Sequence, residues 1–311
     1  MFHKNINYKE LLSQHYPFKS NYYVHPTTKY RLHYLDEAHN PDVDHPPKKT
    51  VVLLHGNPTW SFFYRNLILV LKVAGFRVIV PDHLGMGLSD KPNDYSQYNL
   101  KNHIENLQLL LCEHLKLKKF SLIVHDWGGA IGMGLMVRAN IGGDLVEKVV
   151  IMNTAAFTSK NIPYRIALLK LPFLGKILSR GFNLFALAAT IMTTKKPLSK
   201  EIKSLYLYPY DSYNNRIAID AFVKDIPLHK FHHTFFELKN IEKRLTSPEL
   251  KKIPKLILWG ERDFCFNLKF LKRWREIYPD ARVKTYKNAD HYLLEDEGED
   301  IAKEINNFLN S

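Results

Sequence analysis

The sequence predicts a mostly parallel, doubly wound α/β sheet flanked by helices and interrupted late in the chain by a helical insertion. Three observations carry this. Continuous β-branched and leucine runs, such as Thr50-Val51-Val52-Leu53-Leu54, have the composition of strands buried on both faces. Such runs alternate with stretches whose apolar residues fall at helical spacing. From Asn161 to about Phe236 the alternation stops, leaving helical apolar stretches punctuated by Pro163, Pro172, Pro197, Pro209 and Pro227.

Each element follows from local pattern. Tyr22-Tyr23-Val24 and Tyr30 to Leu35 alternate around a Pro-Thr-Thr turn and predict a hairpin over residues 20 to 37. A polar loop follows, from Glu37 to Lys49. After the Thr50–Leu54 strand and its His55-Gly56-Asn57-Pro58 turn, a helix is expected near Ser61. Phe76 to Val80 is a strand ending in the glycine-rich Pro81 to Asp90 loop, and Leu100 to Leu115 is a helix. Phe120 to Val124 is a strand leading into a sharp turn and a helix that runs to about Ala139. Lys148 to Asn153 is the next strand. Pro254 to Gly260, a helix near Leu268 to Ile277, a strand over Arg282 to Tyr286 and a helix from Gly298 complete the chain. The expected division is a core of residues 1–157 and 237–311 with a helical cap at 158–236.

Composition narrows the function classes. Of 311 residues 45% are hydrophobic, ample for a large core, and 44 Lys+Arg against 31 Asp+Glu give a formal charge of +13. The basic residues are scattered and accompany no nucleic-acid-binding signature, so a solvated basic surface is expected and no nucleic acid partner. Cys112 and Cys265 are far apart and form no metal-ligand or redox pair. No cofactor or metal is expected. The first ten residues lack the apolar core of a signal peptide, and the longest uncharged apolar segment, Gly181 to Thr194, is too short to span a bilayer. A cytoplasmic location is the expectation.

The chemistry begins at Leu122-Ile123-Val124-His125-Asp126-Trp127-Gly128-Gly129. This strand, turn and small-residue helix has the form of a nucleophile elbow, with Asp126 in the nucleophile position. A carboxylate there is already ionised and needs no base to attack carbon. Reactive groups of an open α/β sheet collect beyond the carboxyl ends of its strands. Asp263, three residues past a strand end, and His291, after the last strand, complete the order nucleophile, acid, histidine expected of an α/β-hydrolase fold. The backbone amides of Trp127 and Asn57 are the expected oxyanion hole. The indole N–H of Trp127 and the carboxamide of Asn57 are neutral donors that could hold a departing anion beside Asp126.

With these residues in place the chain resembles the haloalkane dehalogenase family. His55-Gly56-Asn57-Pro58-Thr59-Trp60-Ser61, Asp82 to Pro92 and His125-Asp126-Trp127-Gly128-Gly129 carry the likeness. It implies that Asp126 attacks carbon, that Asn57 and Trp127 bind the leaving anion, and that His291 activates water. Because Asn153-Thr154-Ala155-Ala156-Phe157 offers no carboxylate, the acid role falls to Asp263. Ile151 to Phe157, Leu207 to Ala218, Trp259 to Phe264 and Asp290 to Asp296 are similar to one branch of that family, the third subfamily, which includes the β-lactone decarboxylases of long-chain olefin biosynthesis. The implied substrate is a small lipophilic electrophile, either a haloalkane or a long-chain β-lactone, with water.

Two other readings stay open at this point. An epoxide hydrolase would need acidic phenols from the cap, for which Tyr206, Tyr208, Tyr210 and Tyr213 are candidates. The basic, apolar run Ile166 to Arg180 is expected to line the cap and roof the pocket, and it also admits docking on an anionic bilayer.

Overall fold

In the computed structural model, residues 6–38, 49–139, 145–159, 162–171 and 173–311 are described. The first residues of the chain, most of the polar loop between 37 and 49, and the start of the insertion around 160–161 lie outside them, as does Pro172. Eight strands form one sheet: β1 (Ser20–Val24), β2 (Arg31–Glu37), β3 (Thr50–Leu54), β4 (Arg77–Pro81), β5 (Phe120–Asp126), β6 (Val146–Thr154), β7 (Lys255–Gly260) and β8 (Arg282–Tyr286). Their order is β1-β2-β4-β3-β5-β6-β7-β8. β1 and β2 run antiparallel to their neighbours, and all pairings from β4 to β8 are parallel.

The burial pattern explains the composition. Every residue of β5 and β7 is buried. Alternate side chains of a strand point to opposite faces. Val52, Leu54, Leu122 and Val124 therefore enter one core, while Val51, Leu53 and Ile123 enter the other. The chain leaves β3 for β4 on one side and returns to β5 on the other, so the strand order reverses between β3 and β5. A crevice at such a switch point is where an open α/β sheet binds ligands. The loop after β3 and the turn after β5 meet there.

The structure refines several expected boundaries. The segment at Ser61 opens as a tight turn, Ser61–Tyr64, before the helix Arg65–Val73. The Leu100–Gln108 helix widens over Leu109–His114. β5 runs through His125 and Asp126 because both pair with β6, opposite Met152 and Thr154. The last helix, Leu293–Asn310, starts five residues before Gly298 and is broken at Glu297 (φ −132°, ψ 31°). Its buried first turn, with Leu293 and Leu294, lacks the amphipathic alternation that marks its second part.

Between β6 and β7 the described elements are all helical. They include Tyr164–Leu169, Leu174–Lys176, a wide turn at Ile177–Gly181, Leu184–Met192, Lys200–Leu207, Ile217–Lys224 and His233–Leu245. None of the described helices is long and apolar enough to cross a membrane.

Candidate active site

The turn after β5 is forced by close packing. Asp126 has φ 51°, in the left-handed region where Asp is among the better tolerated side chains. The helix Trp127–Ala139 starts at the next residue. A Cβ at Gly128 would lie 2.1 Å from the Leu54 carbonyl oxygen, so the helix can approach β3 only with glycine there. A Cβ at Gly56 would lie 1.9 Å from Asp126 Oδ1, which ties the loop after β3 to the nucleophile position. The Thr154 hydroxyl donates to the Asp126 carbonyl and closes the turn against β6.

The structure brings the three predicted residues together. His291 Nδ1 is 2.7 Å from Asp263 Oδ2, and His291 Nε2 is 3.6 Å from Asp126 Oδ2. Asp263 is fixed from three further directions: the Cys265 and Phe266 amides donate to Oδ1 at 2.6 and 3.0 Å, and Asn153 Nδ2 donates to Oδ2 at 2.9 Å. The ring of His291 stacks on Phe266 and lies against His125, which itself holds the His291 carbonyl at 2.9 Å. With Nδ1 bonded to a carboxylate, Nε2 is the nitrogen turned to the nucleophile.

Electrostatics set the resting charges. Burial opposes a charge on His291, but Asp263, Asp126 and Asp290 outweigh it and raise its pKa to about 9. Burial raises Asp126 above its ordinary value; the nearby His291 and the backbone amides of Asn57 and Trp127 pull it back. The surrounding carboxylates therefore favour the protonated form of His291. Neutralising Asp126 would remove one of the carboxylates that sustain this proton. The pKa of His291 would then fall toward that of a neutral imidazole.

The two oxygens of Asp126 differ. Oδ1 accepts from the Asn57 N–H at 2.6 Å, and the Trp127 N–H also donates to this carboxylate. Oδ2 faces His291 Nε2 at 3.6 Å, beyond hydrogen-bond distance. The amides expected as an oxyanion hole thus both bond this carboxylate. The side chains of Asn57 and Trp127 both line the cavity at Asp126. One expectation needs adjusting: Asn57 Nδ2 donates to the carbonyl of Ile219, at 3.1 Å, and its buried Oδ1 has no partner. Ile219 belongs to the helix Ile217–Lys224 of the insertion, so the orientation of this donor depends on that helix.

Above these groups lies a cavity of about 360 Å³. Its floor is polar (Asn57, Asp126, Trp127, His291), and its walls are apolar, with Ile166, Leu169, Leu178, Leu184, Phe185 and Met192 contributed by the insertion. None of Tyr206, Tyr208, Tyr210 and Tyr213 reaches the wall. Tyr206 donates to Glu295 and Tyr210 lies against Met86 and Gly87, so the phenols an epoxide hydrolase would use are spent elsewhere. Among the described residues one grouping has metal-ligand spacing: Asp225, His232 and His233. Both His232 nitrogens are engaged, Nε2 with the Lys224 carbonyl and Nδ1 with the Thr234 amide, and Asp225 accepts from Leu100 and Thr234. The grouping reads as a hydrogen-bonded junction.

Asn153 is a functional position that sequence reasoning passed over except as a missing carboxylate. It has φ 28°, donates to Asp263 and to the Gly260 carbonyl, and accepts from the Gly260 amide. It ties β6 to β7 and orients the acid. The available signal was a polar residue at the end of an otherwise apolar strand.

Comparison with known proteins identifies the family. The profile of the alpha/beta hydrolase fold family matches residues 49–298. The chain is 40% identical over 299 residues to a cis-3-alkyl-4-alkyloxetan-2-one decarboxylase of Shewanella oneidensis, covering 94% of this chain and 89% of that protein. It is 36% identical to the protein of the same name from Xanthomonas campestris, over 89% of this chain and 92% of that one. A haloalkane dehalogenase of Mycolicibacterium paratuberculosis is 29% identical, with 93% and 92% covered. Among solved structures, the haloalkane dehalogenase DatA of Agrobacterium tumefaciens superposes with a TM-score of 0.79 at 23% identity, over 94% of this chain and 96% of that one. That last likeness is one of fold.

Proposed function

We propose, from the premise that this chain belongs to the α/β-hydrolase family and within it to the branch of haloalkane dehalogenases and oxetanone decarboxylases, that it opens a cis-3,4-dialkyl oxetan-2-one and releases carbon dioxide and an olefin. The observation that carries the chemistry is a buried carboxylate held by the Asn57 and Trp127 amides, facing His291 and lining a cavity with apolar walls. The choice of β-lactone is supported by the greater identity to the decarboxylases.

Asp126 Oδ2 attacks the ring carbon bonded to the ring oxygen. That C–O bond breaks as the ester to Asp126 forms, and the ring oxygen becomes part of a carboxylate still attached to the neighbouring carbon. Asn57 and Trp127 stabilise this anion. The bond to the carboxylate then breaks, its electron pair forms the C=C bond, the ester C–O bond breaks, and Asp126 recovers its charge. Carbon dioxide leaves and no water is consumed.

Haloalkane hydrolysis is the second reading, favoured by two donors flanking the nucleophile. The same attack would expel halide. His291, oriented by Asp263 and relieved of its proton, would then deprotonate a water that adds to the Asp126 carbonyl carbon, with the oxyanion held by the Asn57 and Trp127 amides. We further infer that residues 158–236 serve as a cap over residues 1–157 and 237–311. The unpaired Cys112 and Cys265 support a cytoplasmic setting.

A cis-3,4-dialkyl oxetan-2-one and a brominated alkane supplied side by side test the assignment. Olefin with carbon dioxide is expected from the lactone. Ring-opened hydroxy acid without carbon dioxide, or halide release alone, would replace it. Turnover in oxygen-18 water separates the two paths, because ester hydrolysis carries label into Asp126 and the elimination does not.

A further inference from the structure

From Thr158 to Lys200 the chain contains no Asp or Glu but eight basic residues: Lys160, Arg165, Lys170, Lys176, Arg180, Lys195, Lys196 and Lys200. Apolar side chains face outward from the same segment. Tyr164 is 69% exposed, Phe173 82%, Ile177 51%, Phe182 66% and Ile191 66%. The elements that carry them, from Tyr164–Leu169 to Leu184–Met192, pack on one another in succession and form one surface. The expectation that the run from Ile166 to Arg180 roofs the cavity therefore holds for half of it. Ile166, Leu169 and Leu178 line the cavity, whereas Leu171, Phe173, Leu174 and Ile177 face outward.

This surface is also where the cavity opens. Leu168 and Leu184 line the cavity and are 48% and 44% exposed. A monomeric protein rarely leaves a contiguous apolar face of this kind uncovered. The charge decides what covers it. Exposed Arg165, Lys176, Lys195 and Lys200 flank the apolar residues with no acidic neighbour in the segment. A second copy docking face to face would bring these cations against themselves. An anionic bilayer offers phosphates to the cations and acyl chains to Phe173, Ile177 and Phe182.

We propose that the cap face formed by Tyr164 to Lys200 docks on an anionic lipid bilayer, so that the mouth between Leu168 and Leu184 opens at acyl depth and lipophilic substrate enters without crossing water. The inference rests on the surface and the mouth and holds for any lipophilic substrate of the Asp126 site.

Flotation of the full chain with phosphatidylcholine vesicles, with and without about one-third phosphatidylglycerol, tests it. Co-flotation with the anionic vesicles is expected, weaker on pure phosphatidylcholine and weakened by about 0.5 M salt. Phe173→Ser/Ile177→Ser/Phe182→Ser and, separately, Lys176→Glu/Lys195→Glu should each reduce binding at least about tenfold. Because none of these side chains lines the cavity, melting temperature and turnover of a short, water-soluble substrate should be unchanged. Asp126→Asn should float like the parent, which keeps this result independent of the catalytic assignment. Absence of flotation, or flotation that neither multiple variant alters, would overturn the proposal. Conversion of an oligomer to a monomer by the apolar variant without vesicle binding would do the same and assign the face to a second copy.

Discussion

Two buried aspartates stand beyond strand ends on either side of β3, and they differ in what surrounds them. Asp82 follows β4; Asp126 ends β5. Asp82 accepts from the Ser61 amide at 2.7 Å, the Leu88 amide at 2.9 Å and His33 Nδ1 at 2.8 Å, with His55 Nε2 at 3.7 Å. Burial pushes it up, yet the His33 and His55 rings and the amides outweigh this and hold it at about 2. Asp126 accepts from the Asn57 and Trp127 amides, keeps Oδ2 3.6 Å from His291 Nε2 and lines the cavity, and burial leaves it raised. A carboxylate with both oxygens saturated fixes a loop and cannot attack. One that lines a cavity, with an oxygen beyond hydrogen-bond distance of its histidine, keeps a lone pair accessible, and burial holds its pKa higher. From this contrast we infer a structural role for Asp82 and a chemical role for Asp126.

Substituting each aspartate by asparagine tests the contrast most severely. Asp126→Asn should lower turnover by about 10⁴-fold or more while leaving the melting temperature near the parent value. Asp82→Asn should do the reverse, weakening the fold by about 3–5 kcal/mol because it breaks a buried ionic cluster. Steady-state kinetics beside denaturant unfolding reads both. An Asp82 variant that stays stable but loses chemistry would erase the distinction.

His291 sharpens the reading of the reactive side. With a brominated alkane, His291→Ala should still form the ester at Asp126 and fail to hydrolyse it, so intact-mass spectrometry should find an alkyl adduct and halide release should stop after about one equivalent. A β-lactone should leave no such stable adduct if elimination frees Asp126 without water. Unmodified protein after exposure to an accepted haloalkane would contradict covalent attack.

Strand and helix order, the elbow and the candidate triad were legible because each is written locally. β3, β5 and β7 are built on apolar runs; Asp126 ends one strand, and Asp263 and His291 each follow another. What was hidden depends on distant segments meeting. The Asn153 bond to Asp263 spans 110 residues and the Asn57 bond to Ile219 spans 162. Nothing near Asn57 announces that a helix of the insertion takes one of its protons. Likewise, helical spacing in Ile166 to Arg180 showed an apolar segment but not which residues turn inward, since both faces of the short helices are apolar.

The Asn57 carboxamide predicts a smaller effect than either charged group. Asn57→Ala retains the backbone amide on Asp126 Oδ1 and removes only the side-chain donor and its tie to Ile219. A loss of about 100-fold in the rate of anion release is expected from pre-steady-state kinetics. A loss as large as that of Asp126→Asn would mean that the side chain positions the nucleophile itself.

The mildest test follows the two aspartates by pH. His291 is raised to about 9 from an ordinary 6.5, so its contribution to stability is fully present below 6.5 and is lost as pH rises through about 9. Asp82 is lowered to about 2 from 3.8, so its contribution is present above 3.8 and is lost as pH falls through about 2. The alkaline limb of a melting-temperature profile thus reports the reactive site and the acid limb the structural one. In Asp126→Asn one of the carboxylates that hold the His291 proton is neutral, so the alkaline decline should begin at lower pH while the acid limb stays in place. Asp82→Asn should alter the acid limb and leave the alkaline decline where it was. If both variants moved the same limb, the two clusters would be a single coupled unit and the contrast between them would fail.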